Sequence, residues 1–319
     1  MLTAGTHFSH HHTPRVGETK VGEHAYFFGE NWKEELHSFS GQFVILCIQE
    51  DIGPQANCGF PGAKNSADLF FKAILNLQHN RFNPGDEYGI LGEFVFEKKA
   101  ESLEDQRTAV AELDTLLAPI FEALFKANKT PIVIGGGHNN AYPIIKALGK
   151  KSPCSVLNID PHADFRPREG RHSGNGFSYA FEEGFLGKYG MFGLHENYNS
   201  ENMLLEMEEH PFKISYTFFE ETLDMTWEQV LEKLKKMLIF LEEKSMGLEI
   251  DLDGISFFPS SAISPIGFTP VEMRKLLRFV CQTTQMDYLH LPEGHLTDPV
   301  WNKLLAYLVS DFIKHQRIA

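Results

Sequence analysis

A chain of 319 residues with 42% hydrophobic content can bury a sizeable core, as one large α/β domain or two smaller ones. Its formal net charge of −14 argues against nucleic acid or an anionic membrane as a main partner. Cys47, Cys58, Cys154 and Cys281 include no C-x-x-C pair, so no disulfide framework is expected, and no apolar run is long enough to cross a bilayer. A reducing, cytoplasmic setting follows as the expectation.

Residues 1–35 read as a lead-in segment, with 36–319 as a single domain. Met1 to Gly17 is poor in apolar residues and carries His7, His10, His11 and His12. It fits neither a signal peptide nor a span, and a mobile polar arm is predicted. Phe43 to Ile48 is an apolar run that predicts the first buried strand. Glu50 to Ala63 follows, with three glycines and two prolines, and reads as a long loop where ligands bind in open α/β sheets. Ser66 to Leu77 is a predicted helix with Ser66 as its cap. Asn80 to Glu97 is rich in turn residues and takes no firm assignment.

Ser102 to Ala127 predicts a long amphipathic helix, with Pro119 as a point of kinking. Pro131 to Ile134 is a second short strand, running into Gly135-Gly136-Gly137-His138 and a helix over Ala141 to Leu148. The glycines let the backbone turn tightly and approach a ligand, although neither phosphate-loop spacing is present. Ser155 to Ile159 is the next strand, and Pro167 to Ala180 reads as a polar loop near substrate. Strands are then expected at Tyr189 to Leu194, Pro211 to Phe219, Ser245 to Ile250 and Asp287 to Leu291. Helices are expected at Trp227 to Glu243, Pro270 to Cys281 and Asp298 to Lys314. Alternating strands and helices over most of the chain predict one domain with a parallel sheet.

The chemistry concentrates after the third strand, in Asp160-Pro161-His162-Ala163-Asp164. In an extended segment, positions i, i+2 and i+4 share one side. Carboxylates crowded with imidazole suit a hard or borderline divalent cation, whose charge offsets their mutual repulsion. A polar strand end capping the next helix is the plainer alternative. Asp251-Leu252-Asp253 repeats the theme at a later strand end, and His138 sits at a comparable place. Two imidazoles and four carboxylates exceed the needs of one ion and suit two, which lower the pKa of a shared water.

Gly-Gly-x-His, then D-x-H-x-D, then D-x-D, in that order from about residue 43 to about 315, resembles the arginase, agmatinase and formimidoylglutamase group. That resemblance implies a three-layer α/β/α sandwich with a mostly parallel sheet and two divalent ions, most often manganese. His138, Asp160, Asp164 and Asp251 would hold one ion, and Asp160, His162, Asp251 and Asp253 the other. It further implies hydrolysis of a guanidino or formimino C–N bond of a small amino-acid-derived substrate, and a trimer or hexamer.

Asp164-Phe165-Arg166 resembles the D-x-R of formimidoylglutamases, as Asn57 to Ala63 resembles their N-x-G-x-x-G-A loop. A guanidinium suits a substrate with a glutamate tail. Arg166 is therefore the expected carboxylate clamp, with Arg168, Arg171, Asn57 and Asn175 as candidate helpers. Asp164, His172 and Glu293 are the candidate catalytic groups.

Four departures bear on this. Phe177 stands where an arginase-type shuttle His would be, with His172 as its candidate replacement. His290 falls on an expected Glu, with Glu293 three residues on. Glu249 occupies a position that is usually small, and Pro161 one that is usually Ala. The same chemistry on another guanidino or amidino substrate, and a catalytically silent binding protein of this fold, remain the alternatives.

Overall fold

The computed structural model describes residues 1–64 and 67–317. Its strands are β1 (Leu2–Ala4), β2 (Tyr26–Phe27), β3 (Phe43–Gln49), β4 (Tyr88–Val95), β5 (Thr130–Ile134), β6 (Cys154–Ile159), β7 (Leu186–Leu194), β8 (Ile214–Phe218), β9 (Met246–Ile250) and β10 (Tyr288–Leu291). They form one sheet in the order β1-β4-β3-β5-β10-β9-β6-β7-β8, with β2 also pairing with β4. β1 is antiparallel to β4, and the remaining ladders are parallel.

The helices are α1 (Trp32–Ser38), α2 (Ile52–Ala56), α3 (Asp68–Leu75), α4 (Leu103–Lys126), α5 (Ala141–Gly149), α6 (Gly176–Glu182), α7 (Glu201–Glu208), α8 (Trp227–Leu241), α9 (Pro270–Thr283) and α10 (Pro299–Gln316). They make two layers. Along β3, Phe43, Ile45 and Cys47 join a core with residues of α3, α8, α9 and α10. Val44, Leu46 and Ile48 join a second core with α1, α4, α5 and α6. A strand buried on both faces is why its sequence is an unbroken apolar run and not an alternation. This is the expected three-layer sandwich.

Most elements lie where the hydrophobic pattern placed them. Ser102, Thr226 and Thr269 cap α4, α8 and α9, each accepting from a backbone N–H three residues on. α4 runs unbroken through Pro119. The expected Ser66 cap lies outside the described residues. Four readings change. β4 occupies Tyr88–Val95 of the unassigned stretch; its glycines and a bulge at Leu91, opposite the step from Ile45 to Leu46 of β3, disguise the period. α2 lies inside the predicted loop after β3, and α6 begins within the polar stretch after β6. The lead-in is not a free arm: Leu2–Ala4 pairs with Gly92–Phe94, and Phe8 is fully buried against Phe71 with ring centroids 4.4 Å apart.

Parallel strands send their C-terminal ends to one edge, and β5, β10, β9 and β6 are adjacent at the middle of the sheet. The segments that follow them carry His138, Glu293, Asp251 and Asp160, so one short edge collects residues spread over more than 150 positions.

Candidate metal centre

The turn after β5 is built by glycine. Gly135 and Gly136 have φ of +81° and +67°, and a Cβ at Gly136 would lie 2.2 Å from Asn140 Nδ2. Glu50, fully buried just after β3, locks this turn. Its Oε1 accepts from the Gly137 N–H at 2.7 Å and from Asn140 Nδ2 at 2.7 Å, and its Oε2 from the Gly53 N–H at 3.2 Å. His138 follows, with no exposed surface.

The acids converge through turns, which corrects the expectation of a pleated strand carrying all three residues of D-x-H-x-D. β6 ends at Ile159, before the first of them, and Asp164 has φ of +47°, the left-handed region that few side chains adopt. Asp160 Oδ1 accepts from the His162 N–H at 2.7 Å, and its Oδ2 from Asn158 Nδ2 at 2.9 Å. Asp251 Oδ1 likewise accepts from the Asp253 N–H at 2.7 Å.

His138 Nδ1 lies 2.9 Å from Asp164 Oδ2, 2.9 Å from Asp251 Oδ2 and 3.2 Å from Asp160 Oδ2. None of these contacts has hydrogen-bond geometry. One ring nitrogen carries at most one proton and cannot satisfy three carboxylates, whereas all four atoms, within 4.8 Å of one another, can face one divalent cation. Asp160 has an oxygen on either side: Oδ2 faces His138, and Oδ1 lies 3.5 Å from His162 Nδ1. Asp253 Oδ2 is 3.8 Å from the same nitrogen, a more open grouping.

Electrostatics agree with the donor set. Burial pushes the Asp251 carboxyl well up, with Asp253 and Asp160 adding to it. Burial also raises Asp164. Burial alone would lower His162, but Asp160 above all holds it up at about 10. Such a cluster is short of positive charge.

These groups open into a cavity of about 510 Å³ whose wall includes His162, Asp164, Asp251, Asp253 and Glu293. Arg166 and Asn57 also line it, and the Arg166 guanidinium donates to Asn57 Oδ1 at 2.9 Å. Glu293, at φ +67°, is buried with its Oε1 accepting from the His138 N–H at 2.7 Å and its Oε2 from the Ser261 hydroxyl at 2.5 Å.

Other candidates lie elsewhere. His172 is fully buried behind the wall; its Nδ1 accepts from the Gly174 N–H, and its Nε2 is 3.4 Å from Glu169. Burial, then Arg107, Arg166 and Arg171, push it down to about 3. Asn175 is spent on Arg171, the His172 N–H and the carbonyls of Pro167 and Gly170. Arg168 pairs with Glu182 at 3.1 Å, and buried Arg171 with Asp114 at 2.8 Å. The basic stretch is thus mostly scaffold, because its cations find fixed partners on α4 and α6.

Sequence reasoning missed Glu50, whose partners are local turn groups, and Tyr198, which lines the cavity and stacks on His162 at 5.2 Å. It named Glu249 and His290 only as departures. The structure sets them side by side, Glu249 Oε2 and His290 Nδ1 being 2.6 Å apart.

A model of the arginase family matches residues 43–291. A formimidoylglutamase of Geobacillus sp. (strain WCH70) is 29% identical over 249 residues, covering 76% of this chain and 73% of that protein. One of Streptococcus pyogenes serotype M12 (strain MGAS2096) is 26% identical over 299 residues, 88% of each. Among solved structures, Trypanosoma cruzi formiminoglutamase with Mn2+ superposes with a TM-score of 0.73 at 19% identity, covering 93% of this chain and 98% of that one. Formimidoylglutamase from Bacillus subtilis gives 0.74 at 15% identity, covering 95% and 93%.

Proposed function

Because the chain belongs to the arginase family, hydrolases of amidino and guanidino C–N bonds, we propose that it cleaves N-formimidoyl-L-glutamate to glutamate and formamide. The observation that carries this reading is Arg166. Its guanidinium lines the cavity, is steadied by Asn57, and has no ion-pair partner among the described residues. An unpaired guanidinium beside a cluster of acids suits a substrate with a carboxylate at one end and an amidine at the other. Relatives of this chain carry the formimidoylglutamase name, which supports the same assignment.

His138, Asp160, Asp164 and Asp251 would hold one divalent ion, and Asp160, His162, Asp251 and Asp253 a second, with manganese favoured by the structural neighbour described with it. When bound, two cations lower the pKa of a shared water and supply hydroxide near neutral pH. The residues of the chain do the rest. Arg166 pairs the substrate carboxylate and fixes its reach. Glu293, held by Ser261 and the His138 N–H, accepts from the amidine N–H groups. Asp164, on the cavity wall, passes a proton to the departing amine. Water adds to the formimino carbon and the C–N bond to the glutamate nitrogen breaks, leaving formamide and a free amine.

The test is hydrolysis by the manganese-reconstituted protein of formimidoylglutamate, arginine, agmatine and guanidinobutyrate in parallel. Turnover confined to formimidoylglutamate supports the assignment, and turnover of a cationic guanidine alone overturns it.

A further inference from the structure

We propose that Glu249 is a positioning residue for the metal centre: it serves as acceptor for the N–H that His138 carries on Nε2 and thereby leaves Nδ1 free to face a cation, while His290 and Tyr288 hold Glu249 in place. The inference rests on the metal-centre reading above and is independent of which substrate is cleaved.

Glu249 is the penultimate residue of β9, and His290 is its registered neighbour on β10. Both are fully buried, as are His138 and Tyr288. A carboxylate in such a place must be matched by donors. Glu249 Oε1 accepts from the Tyr288 hydroxyl at 2.7 Å, and Oε2 lies 2.6 Å from His290 Nδ1. The same Oε2 is the carboxylate oxygen nearest His138 Nε2, at 3.4 Å and outside hydrogen-bond geometry as the rings stand, on the side of the ring away from Asp160, Asp164 and Asp251. Space for this arrangement is set aside: a Cβ at Gly247 would fall 2.1 Å from the Tyr288 ring. Phe177 meets the His138 ring edge-on at 5.1 Å, which limits its swing.

The chemistry follows from imidazole. A nitrogen that binds a cation must be free of its proton, so the proton belongs on the other nitrogen and needs an acceptor. A carboxylate acceptor fixes the tautomer and makes the ligand more basic, and loss of such a partner costs roughly 10–100-fold in metal affinity. The two departures at Glu249 and His290 then belong together: the acid on β9 faces the ligand, and the histidine on β10 faces the acid.

Manganese titration of the full chain, with free Mn2+ followed by electron paramagnetic resonance, tests this. Wild type is expected to take two ions, and Glu249→Gln to lose roughly 10–100-fold in affinity at one of them. Tyr288→Phe, which removes only a hydroxyl from Glu249, is expected to weaken the same ion by less. Melting of the metal-free proteins separates folding from binding, and if Glu249→Gln melts early, Tyr288→Phe decides. Unchanged affinity at both ions in the deciding variant overturns the proposal. So does a third ion in wild type that Glu249→Gln abolishes, since a metal would then stand between His138, Glu249 and His290 in place of the proton. Two tight ions in wild type without turnover of formimidoylglutamate overturn the substrate assignment alone.

Discussion

Arg166 and Asn57 are 109 positions apart, yet the guanidinium of one donates to the side-chain oxygen of the other at 2.9 Å across the cavity rim. The loop after β3 and the turn after β6 therefore meet at one point of the cavity wall. In the proposed clamp role, replacing Arg166 with Ala removes a charged hydrogen bond to substrate, an expected loss of about 1.5–3 kcal/mol or roughly 10- to 150-fold in kcat/KM. Most of it should appear in KM, because the carboxylate is held alike in ground and transition states. Steady-state kinetics of Arg166→Ala and Arg166→Lys on formimidoylglutamate check this, with Lys recovering only part.

Asp160 offers one oxygen to each side of the metal centre. Asp160→Asn is expected to weaken both ions, by more than the ~10–100-fold typical of losing a partner behind a ligand. Hydrolysis falls with it. Metal content after gel filtration, set against rate, checks the link.

His172 lies off the cavity with its ring nitrogens turned to Gly174 and Glu169. His172→Asn should therefore lower the melting temperature more than it lowers kcat, well short of the ~10²–10⁴-fold that losing a general acid or base costs. The pH profile of kcat should keep its shape. Thermal melts and a pH–rate series on the one variant decide.

Arg171 is anchored by Asp114, by the Asn139 carbonyl at 2.9 Å and by the faces of Tyr142 and Tyr179. Arg171→Met strands a buried acid, at a cost of about 3–5 kcal/mol near pH 7. Burial already raises Asp114 to about 6 against the pull of Arg171, and without that cation it rises further. An acid whose folded pKa exceeds its unfolded value binds its proton more tightly when folded, so its share of stability grows as pH falls through the folded value. The defect of Arg171→Met should thus shrink between pH 7 and pH 5. Urea unfolding at the two pH values measures it.

Phe8 is buried among residues of α3 and the sheet. Phe8→Ala should cost about 3–5 kcal/mol, like other large core truncations, and leave manganese binding unchanged. A melt and a metal titration on the same sample test both halves.

The residues that the structure clusters at the candidate metal centre were legible because they fall in short stretches, each at the end of an apolar run: His138 after Ile134, Asp160 after Ile159, Asp251 after Ile250. What escaped were relations created by strand order. Glu249 and His290 are 41 positions apart and meet because β10 lies beside β9. Glu50 could not be separated from a solvated acid until the glycine turn closed on it. β1 was hidden by its length of three residues, and its burial depends on β4 beside it. Arg168 and Arg171 misled because sequence shows a charge but not its partner.

The place of β10 between β5 and β9 has a consequence for how the molecule comes into being. Among the strands of the described residues, β10 is the last in chain order and among the most central. Until residues 288–291 arrive, β5 and β9 each present an open ladder of unpaired amides and carbonyls. Those are edges that invite strands from other chains. A nascent or truncated chain that stops before residue 288 is thus expected to hold two unsealed half-sheets and to aggregate readily. The same insertion completes the catalytic edge, so closing the sheet and assembling the site become one event.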